Sequence, residues 1–211
     1  MSKFPTPIEI HDVIRARWSP RVFDQKRLVS HDQIHSVLEA ARWAPSSYNL
    51  QPWRFIVWNN HLDTASYDRA FATIVERNQV WIGHAPVLIA VLADTRSTDG
   101  TPNGNNSASY DTGAAALSLT LQAQALGLIT RQIGGFDRDA LRAEFDLPEH
   151  IRILSLIGLG YHSPHDDHLS DELKTRESAP RVRKPLEEIA FANGWTQSLF
   201  ADNTHKRKEL S

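Results

Sequence analysis

The stretch from Ser109 to Leu126 constrains the fold of this chain more than any other segment. It is rich in Ala and Leu, its polar groups after Asp111 are a few Ser, Thr and Gln, and Gly127 ends it. A helix with no polar face must be covered on nearly every side. A chain of 211 residues can supply that cover on one side from its own core. The expectation is that a second copy of the chain covers the other.

Around this helix the sequence alternates helical and strand signals. Thr6, Pro7 and Glu9 form a helix start, followed by an apolar stripe of Ile10, Val13 and Ile14 that runs out at Ser19-Pro20. Ser30 with Gln33 caps a second helix, which runs through Ile34, Val37, Leu38 and Ala41 to Trp43, and Pro45 stops it. Phe55 to Trp58 reads as a buried strand closed by Asn59-Asn60, and a weaker helix covers Thr64 to Glu76. Pro86 to Ala93 is a continuous apolar run, short enough to be a strand with both faces covered. Thr98 to Ser107 is a loop. Leu128 to Ile133 and Ile151 to Leu159 are two further strands, separated by a helix that Asp137 caps. Tyr161 to Pro180 reads as a long polar connection, of the kind that is usually functional or an arm. Leu186 to Phe191 suggests a last short helix. Residues 1–193 therefore read as a single domain, with 194–211 a loose tail.

Bulk composition narrows the class of function. A formal net charge of −2, from 23 basic and 25 acidic residues, argues against nucleic acid or an anionic membrane as a partner. The sequence has 0 cysteines, so disulfides, thiolate metal sites and cysteine nucleophiles are excluded, and a reducing compartment fits. No window reaches the roughly 20 apolar residues of a membrane helix. The expectation is a soluble, cytoplasmic protein.

Two segments carry candidate chemistry. Arg17, Ser19 and Arg21 alternate just past a helix end, so in an extended chain they share one face. Two guanidiniums and a hydroxyl suit a phosphate or a polarised carbonyl. Taken alone, the segment reads more readily as a solvated basic turn. The second segment, Ala44 to Trp53, packs Ser46, Ser47 and Asn49 between Pro45 and Pro52 directly before a strand. Turn chemistry accounts for those residue types. No strand-elbow-helix pattern flanks Ser46 or Ser47, which argues against a hydrolase nucleophile. His162, His165 and His168 recur at intervals of three with Asp166 and Asp167 between them, but Pro164 breaks the helix that would align them, so the tract reads as a solvated loop rather than a metal site. Trp43, Trp53 and Trp58 read as core, and Trp18 and Trp81 as candidates to border a ligand.

Taken in order, the motifs resemble those of the nitroreductase family of FMN enzymes. They are Arg17-Trp18-Ser19-Pro20-Arg21-Val22-Phe23-Asp24, Ala44 to Trp53, Asn78-Gln79-Val80-Trp81 before Ala85-Pro86-Val87-Leu88, and Asp111-Thr112-Gly113-Ala114. Ala125 to Leu128, Gly134-Gly135-Phe136 and Arg181 to Leu186 follow, so the likeness spans residues 10 to 190. The resemblance implies an α+β fold, with a mostly antiparallel central sheet flanked by helices and an intertwined homodimer. It implies a ping-pong reaction in which FMN takes electrons from NADH or NADPH and passes them to a small electron-poor acceptor such as a nitroaromatic, quinone or enone. No side chain is implied as a required acid or base, since the flavin N5 carries the chemistry.

The resemblance also distributes roles over the residues. Arg17 and Ser19 meet the phosphate and ribityl end, Trp18 borders the flavin and is counted with the cofactor-binding set, and Arg181 and Arg183 close over the phosphate. Arg21 faces the pyrimidine edge, where reduction leaves negative charge. Pro45, Ser46, Ser47 and Asn49 reach the flavin from the opposite subunit. Gly134 and Gly135 bring backbone amides near N5, and Gln132 lies near the ring face. Some relatives carry a glutamate where Gly134 stands. For the remaining pyrimidine-side contact, Arg77, Asn78 and Gln79 are alternatives, and Asn78 is counted with the cofactor-binding set. The competing readings are a specialised flavin enzyme of the same fold, of azoline dehydrogenase or oxygen-using flavin-fragmenting type, and a flavin-binding protein without turnover.

Overall fold

The structure is a computed structural model in which residues 8–199 are described. Thr6 and Pro7, and most of the expected tail, lie outside the described residues. The chain divides into two compact units, one running from Ile8 to Ser178 and the other containing the segment from Ala179 onward.

In the first unit four strands form one antiparallel sheet: β1 (Trp53–Asn59), β2 (Val87–Asp94), β3 (Ile129–Ile133) and β4 (Ile151–Gly160). Their spatial order is β1-β2-β4-β3. Every residue of β2 is buried, and the period of two sends its side chains alternately to two cores. Leu88, Ala90 and Leu92 join a cluster with Trp58, Tyr67, Ile82 and Leu156. Val87, Ile89 and Val91 join a cluster with Val37, Leu119, Leu128 and Ile157 on the other face. The continuous apolar run at 86–93 is thus a strand covered on both faces, as its composition indicates.

Helix α1 (Asp12–Ala16) is shorter than its apolar stripe suggests. Its cap is His11, whose Nδ1 accepts from the Val13 N–H at 3.3 Å, so Glu9 and Ile10 precede the helix. Helix α2 (His31–Arg42) starts where expected, because Ser30 and Gln33 each accept the other's backbone N–H. Trp43 follows it and is a correction: its ring is 76% exposed, donating from Nε1 to Glu39 rather than entering the core. The expected helix from Thr64 to Glu76 is two helices, α3 (Thr64–Ala72) and α4 (Glu76–Ile82). Between them Ile74 forms a β-bridge with Phe136, and the Val75 N–H donates to the Gly135 carbonyl at 3.1 Å. Those bonds take the backbone out of helical geometry.

Helix α5 (Ala108–Ala125) buries Thr112, Ala115, Leu119 and Ala123, while Tyr110 and Leu117 on its other side stay 83% and 51% exposed. Asp137 caps α6 (Arg138–Glu144) as expected, accepting from Asp139 and Ala140. The long polar connection after β4 is not all loop: it contains α7 (Asp171–Ser178), whose one buried residue is Glu177. In the second unit, Leu186–Glu188 is a single 3-10 turn in place of the expected helix to Phe191. No described helix is long and apolar enough to cross a membrane.

The seat of α4 on the sheet depends on Gly158. An ideal Cβ there would collide with Ile82 Cδ1 and come within 3.2 Å of Ala85 Cβ and 3.3 Å of Phe23 Cζ. Ile82, Ala85 and Phe23 are all nearly fully buried and have nowhere to move. Gly158→Ala is therefore expected to cost about 1–3 kcal/mol through overpacking. A urea denaturation midpoint equal to the unsubstituted protein's would show that α4 yields at this contact.

Candidate functional site

The site begins with a short extended segment. The Asp24 N–H donates to the Tyr161 carbonyl at 2.8 Å, the Ser163 N–H donates to the Val22 carbonyl at 3.1 Å, and Phe23 bridges His162. Val22 and Phe23 are 2% exposed, so two core anchors fix the backbone immediately after Arg21. Arg21 is gripped in turn by α7. Its N–H donates to Glu177 Oε1 at 2.8 Å, and its Nη1 lies 3.3 Å from Glu177 Oε2. Both side chains are largely buried, at 15% and 10% exposure.

Arg17 stands at the end of α1 and donates from Nη1 to Ser19 Oγ at 3.4 Å. The ring of Trp18 lies 6.0 Å from that of His162. Arg17 and Ser19 thus act as a pair, while Arg21 turns to a different partner.

Helix α4 brings the second part. Asn78 Nδ2 donates to the Gly135 carbonyl at 3.2 Å. A Cβ on Gly135 would sit 2.5 Å from that nitrogen, so glycine is what permits the contact. At Gly134 a Cβ would meet nothing within 4 Å, which leaves the space beside it open. Trp81, on the next turn of α4, is buried at 3% exposure.

Strand β3 supplies the third part, and the sequence reading did not identify it. Arg131 places its guanidinium 4.8 Å from the centre of the Trp81 ring and donates from Nη1 to the Ser19 carbonyl. Its Nε is buried and has no hydrogen-bond partner among the described residues. Burial, and secondarily the like charge of Arg21, pushes this guanidinium down to about 10, with Glu177 opposing the shift.

Of these residues Arg21, Asn78, Trp81 and Arg131 line a cleft of about 450 Å³, together with Arg77 and Arg176, whereas Arg17, Trp18, Ser19, Gly134 and Gly135 are not in its lining. Against its four arginines stand Glu177, bound to Arg21, and Glu172, bound to Arg176 at 2.8 Å. Positive charge is in surplus, on the Arg77 and Arg131 side. A cleft lined by one sign of charge concentrates anions.

Other expected site residues lie elsewhere. Pro45, Ser46, Ser47 and Asn49 do not line this cleft. The Ser47 N–H donates to Asp111 Oδ2 of α5 at 3.0 Å, and Ser46 Oγ accepts from the Gln51 N–H. Tyr48, Asn49 and Gln51 have φ of 50, 54 and 47°, left-handed values for non-glycine residues, interrupted by right-handed Leu50, and Tyr48 is 93% exposed. Such strain persists where a structure holds a loop for a purpose. Gln132 Oε1 accepts from Ser155 Oγ at 3.4 Å on the exposed side of β3. Arg181 and Arg183 belong to the second unit, where Arg183 Nη1 donates to the Val182 carbonyl. His162, His165 and His168 diverge: His162 faces Trp18, and His168 stacks on His84 at 3.9 Å. No group of three His, Asp or Glu among the described residues is placed to hold a metal.

The fold and cleft together define an α+β protein in which an antiparallel sheet and its flanking helices present an arginine-rich cleft. The model of the nitroreductase family matches residues 14–161. The chain belongs to that family, whose members are FMN-dependent oxidoreductases. It is 28% identical over 181 residues to YodC of Bacillus subtilis (strain 168), a provisionally named NAD(P)H nitroreductase, covering 71% of this chain and 87% of that protein. A solved structure described as an oxidoreductase containing FMN superposes with a TM-score of 0.84 at 31% identity, covering 92% of this chain and 96% of its own. A provisionally assigned nitroreductase of Desulfovibrio desulfuricans, solved in complex with FMN, superposes with a TM-score of 0.68 at 25% identity, covering 87% and 95% of the two chains.

Glu177 has no other role as visible as holding Arg21, and its removal tests the charge balance. Glu177→Gln keeps an acceptor for the Arg21 N–H but leaves Arg21 and Arg131 facing each other without a carboxylate. Breaking a buried pair in this way is expected to destabilise the protein by about 3 kcal/mol. An unchanged urea midpoint would mean that water already screens the pair.

Proposed function

We propose that this chain is an FMN-dependent oxidoreductase that moves electrons from NADH or NADPH to small electron-poor acceptors, such as nitroaromatics, quinones or enones, and that it works as a homodimer in the cytoplasm. The observation that carries the reading is the surplus of arginine charge in the cleft formed by Arg21, Asn78, Trp81 and Arg131. These residues come from three separate segments of sequence, and two of those segments carry the family motifs.

The residues present fit FMN. The cofactor needs cations for its phosphate, a polar edge for its pyrimidine, and a wall that lets its ring approach. Arg17 with Ser19 offers a charge-assisted pair for the phosphate and ribityl end, with Trp18 beside them. Arg21 and Asn78 serve the pyrimidine side. Gly134 leaves open backbone, with Gln132 next to it, for the N5 side. Bound FMN supplies a two-electron relay, in a ping-pong sequence, between the nicotinamide and the acceptor. The chain's share is to bind, to orient and to balance charge, and no acid or base of the chain is required.

The bare side of α5 supports the dimer. Tyr110 and Leu117 there, with Tyr48 and Trp43 on adjoining segments, are large rings and chains left more than half exposed. A second subunit docked on that side would cover them and would bring Pro45, Ser46, Ser47 and Asn49 to the partner's cofactor. The absence of cysteine is compatible with a reducing compartment.

Binding of FMN and riboflavin to the apoprotein tests the phosphate assignment, since riboflavin lacks the phosphate. Arg17→Ala is expected to weaken FMN binding on the order of tenfold to a hundredfold, the range for a lost hydrogen bond to a charged group. Riboflavin binding and the thermal midpoint should stay as they are. Equal FMN affinity in both proteins would refute the role of Arg17, and failure of the unsubstituted protein to take up FMN would refute the function.

A further inference from the structure

The ends of β1 and β2 frame a second cleft, of about 300 Å³, which shares no lining residue with the arginine-rich one beside α4 and α7. Its wall includes Pro52, Arg54 of β1, Asp94 at the end of β2, and Arg96, Thr98 and Asn105 of the loop that follows. The loop is held in shape by its own backbone. The Thr95 N–H donates to the His150 carbonyl at 2.9 Å, and the Asn105 N–H returns to the Thr95 carbonyl at 2.9 Å. Between them Gly100 turns the chain at a φ of 85°, which glycine adopts freely.

Charge and donors are in surplus here. Asp94 is the one carboxylate among the described residues of the wall, and it stands against two arginines. Arg96 grips it from Nε at 3.0 Å and Nη2 at 2.6 Å, and Arg54 Nη2 lies 3.5 Å away. Hydrogen bonds from Arg96, above all, hold the Asp94 carboxyl well below the usual carboxylate range. Asp99 is turned into the loop instead, accepting from Ser97 Oγ and the Thr101 N–H, and is not part of the wall. One positive charge is left over, and Arg96 Nη1 makes no hydrogen bond among the described residues. A further donor is buried. Asn105 is 8% exposed, and its Oδ1 accepts from the Ser107 N–H at 3.1 Å, which fixes the orientation of the amide. Its Nδ2 is left with no partner among the described residues. A buried donor is costly to keep in that state unless an acceptor comes to it.

We propose that this second cleft binds the phosphate group of a small molecule, through Arg54, Arg96, Thr98 and Asn105. The four come from separate places: a strand, the residues just past the next strand, and the far end of the loop. A carboxylate takes its donors in one plane, whereas the three oxygens of a phosphate take them from several sides, and guanidiniums match phosphate oxygens in pairs. Two sources share that chemistry. One is inorganic phosphate. The other is the 2′-phosphate of NADPH, since Pro52 ends the segment that the functional reading brings to the partner's flavin. The site itself does not depend on that reading; the NADPH source does.

The test is calorimetric titration with inorganic phosphate and, separately, with adenosine 2′-monophosphate, at saturating FMN so that the cofactor occupies its own phosphate ligands. The unsubstituted protein should bind at least one of the two with a single equivalent per chain. Arg96→Gln and Thr98→Glu should each weaken that binding about tenfold, the loss of a hydrogen bond to a charged group, and Arg17→Ala should leave it unchanged. Thr98 is exposed, so its substitution sets a like charge at the cleft without touching the core, and it decides the matter if Arg96→Gln fails to fold. Binding of neither probe overturns the proposal, as does binding that keeps its full affinity in Thr98→Glu. The KM for each nicotinamide separates the sources. A KM for NADPH raised about tenfold in Thr98→Glu, with that for NADH unchanged, assigns the site to the 2′-phosphate. Equal KM values in both proteins, with phosphate binding lost, assign it to inorganic phosphate. If the protein takes up no FMN, the functional reading falls, and the same titrations of the protein as purified still decide this site, because Thr98→Glu and Arg17→Ala separate the two phosphate positions.

Discussion

Everything in the site hangs on strand β2 being buried on both faces. A strand with water on one side needs helices only on the other, but β2 sends apolar side chains both ways and therefore recruits two separate layers. One layer is α2 with α5. The other contains α4, seated through Ile82 on the bare backbone of Gly158. Helix α4 in turn carries Asn78 and Trp81, and the extended segment packed beside it through Phe23 carries Arg21. The cleft is the gap left between elements that the core has already fixed.

Within that gap the decisive quantity is charge rather than shape. Glu177 and Glu172 each pair with one arginine, and Arg77 and Arg131 form no ion pair among the described residues. Arg77 is exposed and its charge is cheap to keep in water. Arg131 is not, and its guanidinium is shifted downward by its own burial.

Much of this was legible in the residues. The capping box at Ser30 and Gln33, the doubly covered strand at 86–93 and the Asp137 cap are local signals, and local chemistry decides them. The misses share one cause, which is that tertiary contacts chose the outcome. The break between α3 and α4 is set by a bridge from Ile74 to Phe136, some sixty residues away in sequence. Helix α7 has a polar composition with no apolar stripe, so nothing in its sequence announces that Glu177 turns inward. Trp43 looks like core by residue type but falls just past the end of a helix, where its indole N–H is satisfied by Glu39. Arg131 carried one faint signal, a cation at the centre of a short strand that begins and ends in isoleucine. Its meaning depended on Arg21 and Glu177 arriving from either end of the unit. The family motifs supplied Arg17, Arg21 and Asn78, but not the carboxylate that reassigns the charge among them.

The central claim is that this cleft holds FMN as a working redox group rather than as a passive ligand. Anaerobic titration of the FMN-loaded protein with NADH and, separately, NADPH tests it directly through the visible flavin absorbance. The account predicts that at least one of the two bleaches the flavin stoichiometrically, and that a nitroaromatic or quinone restores the colour in the absence of oxygen. A flavin that stays oxidised with both nicotinamides would contradict it.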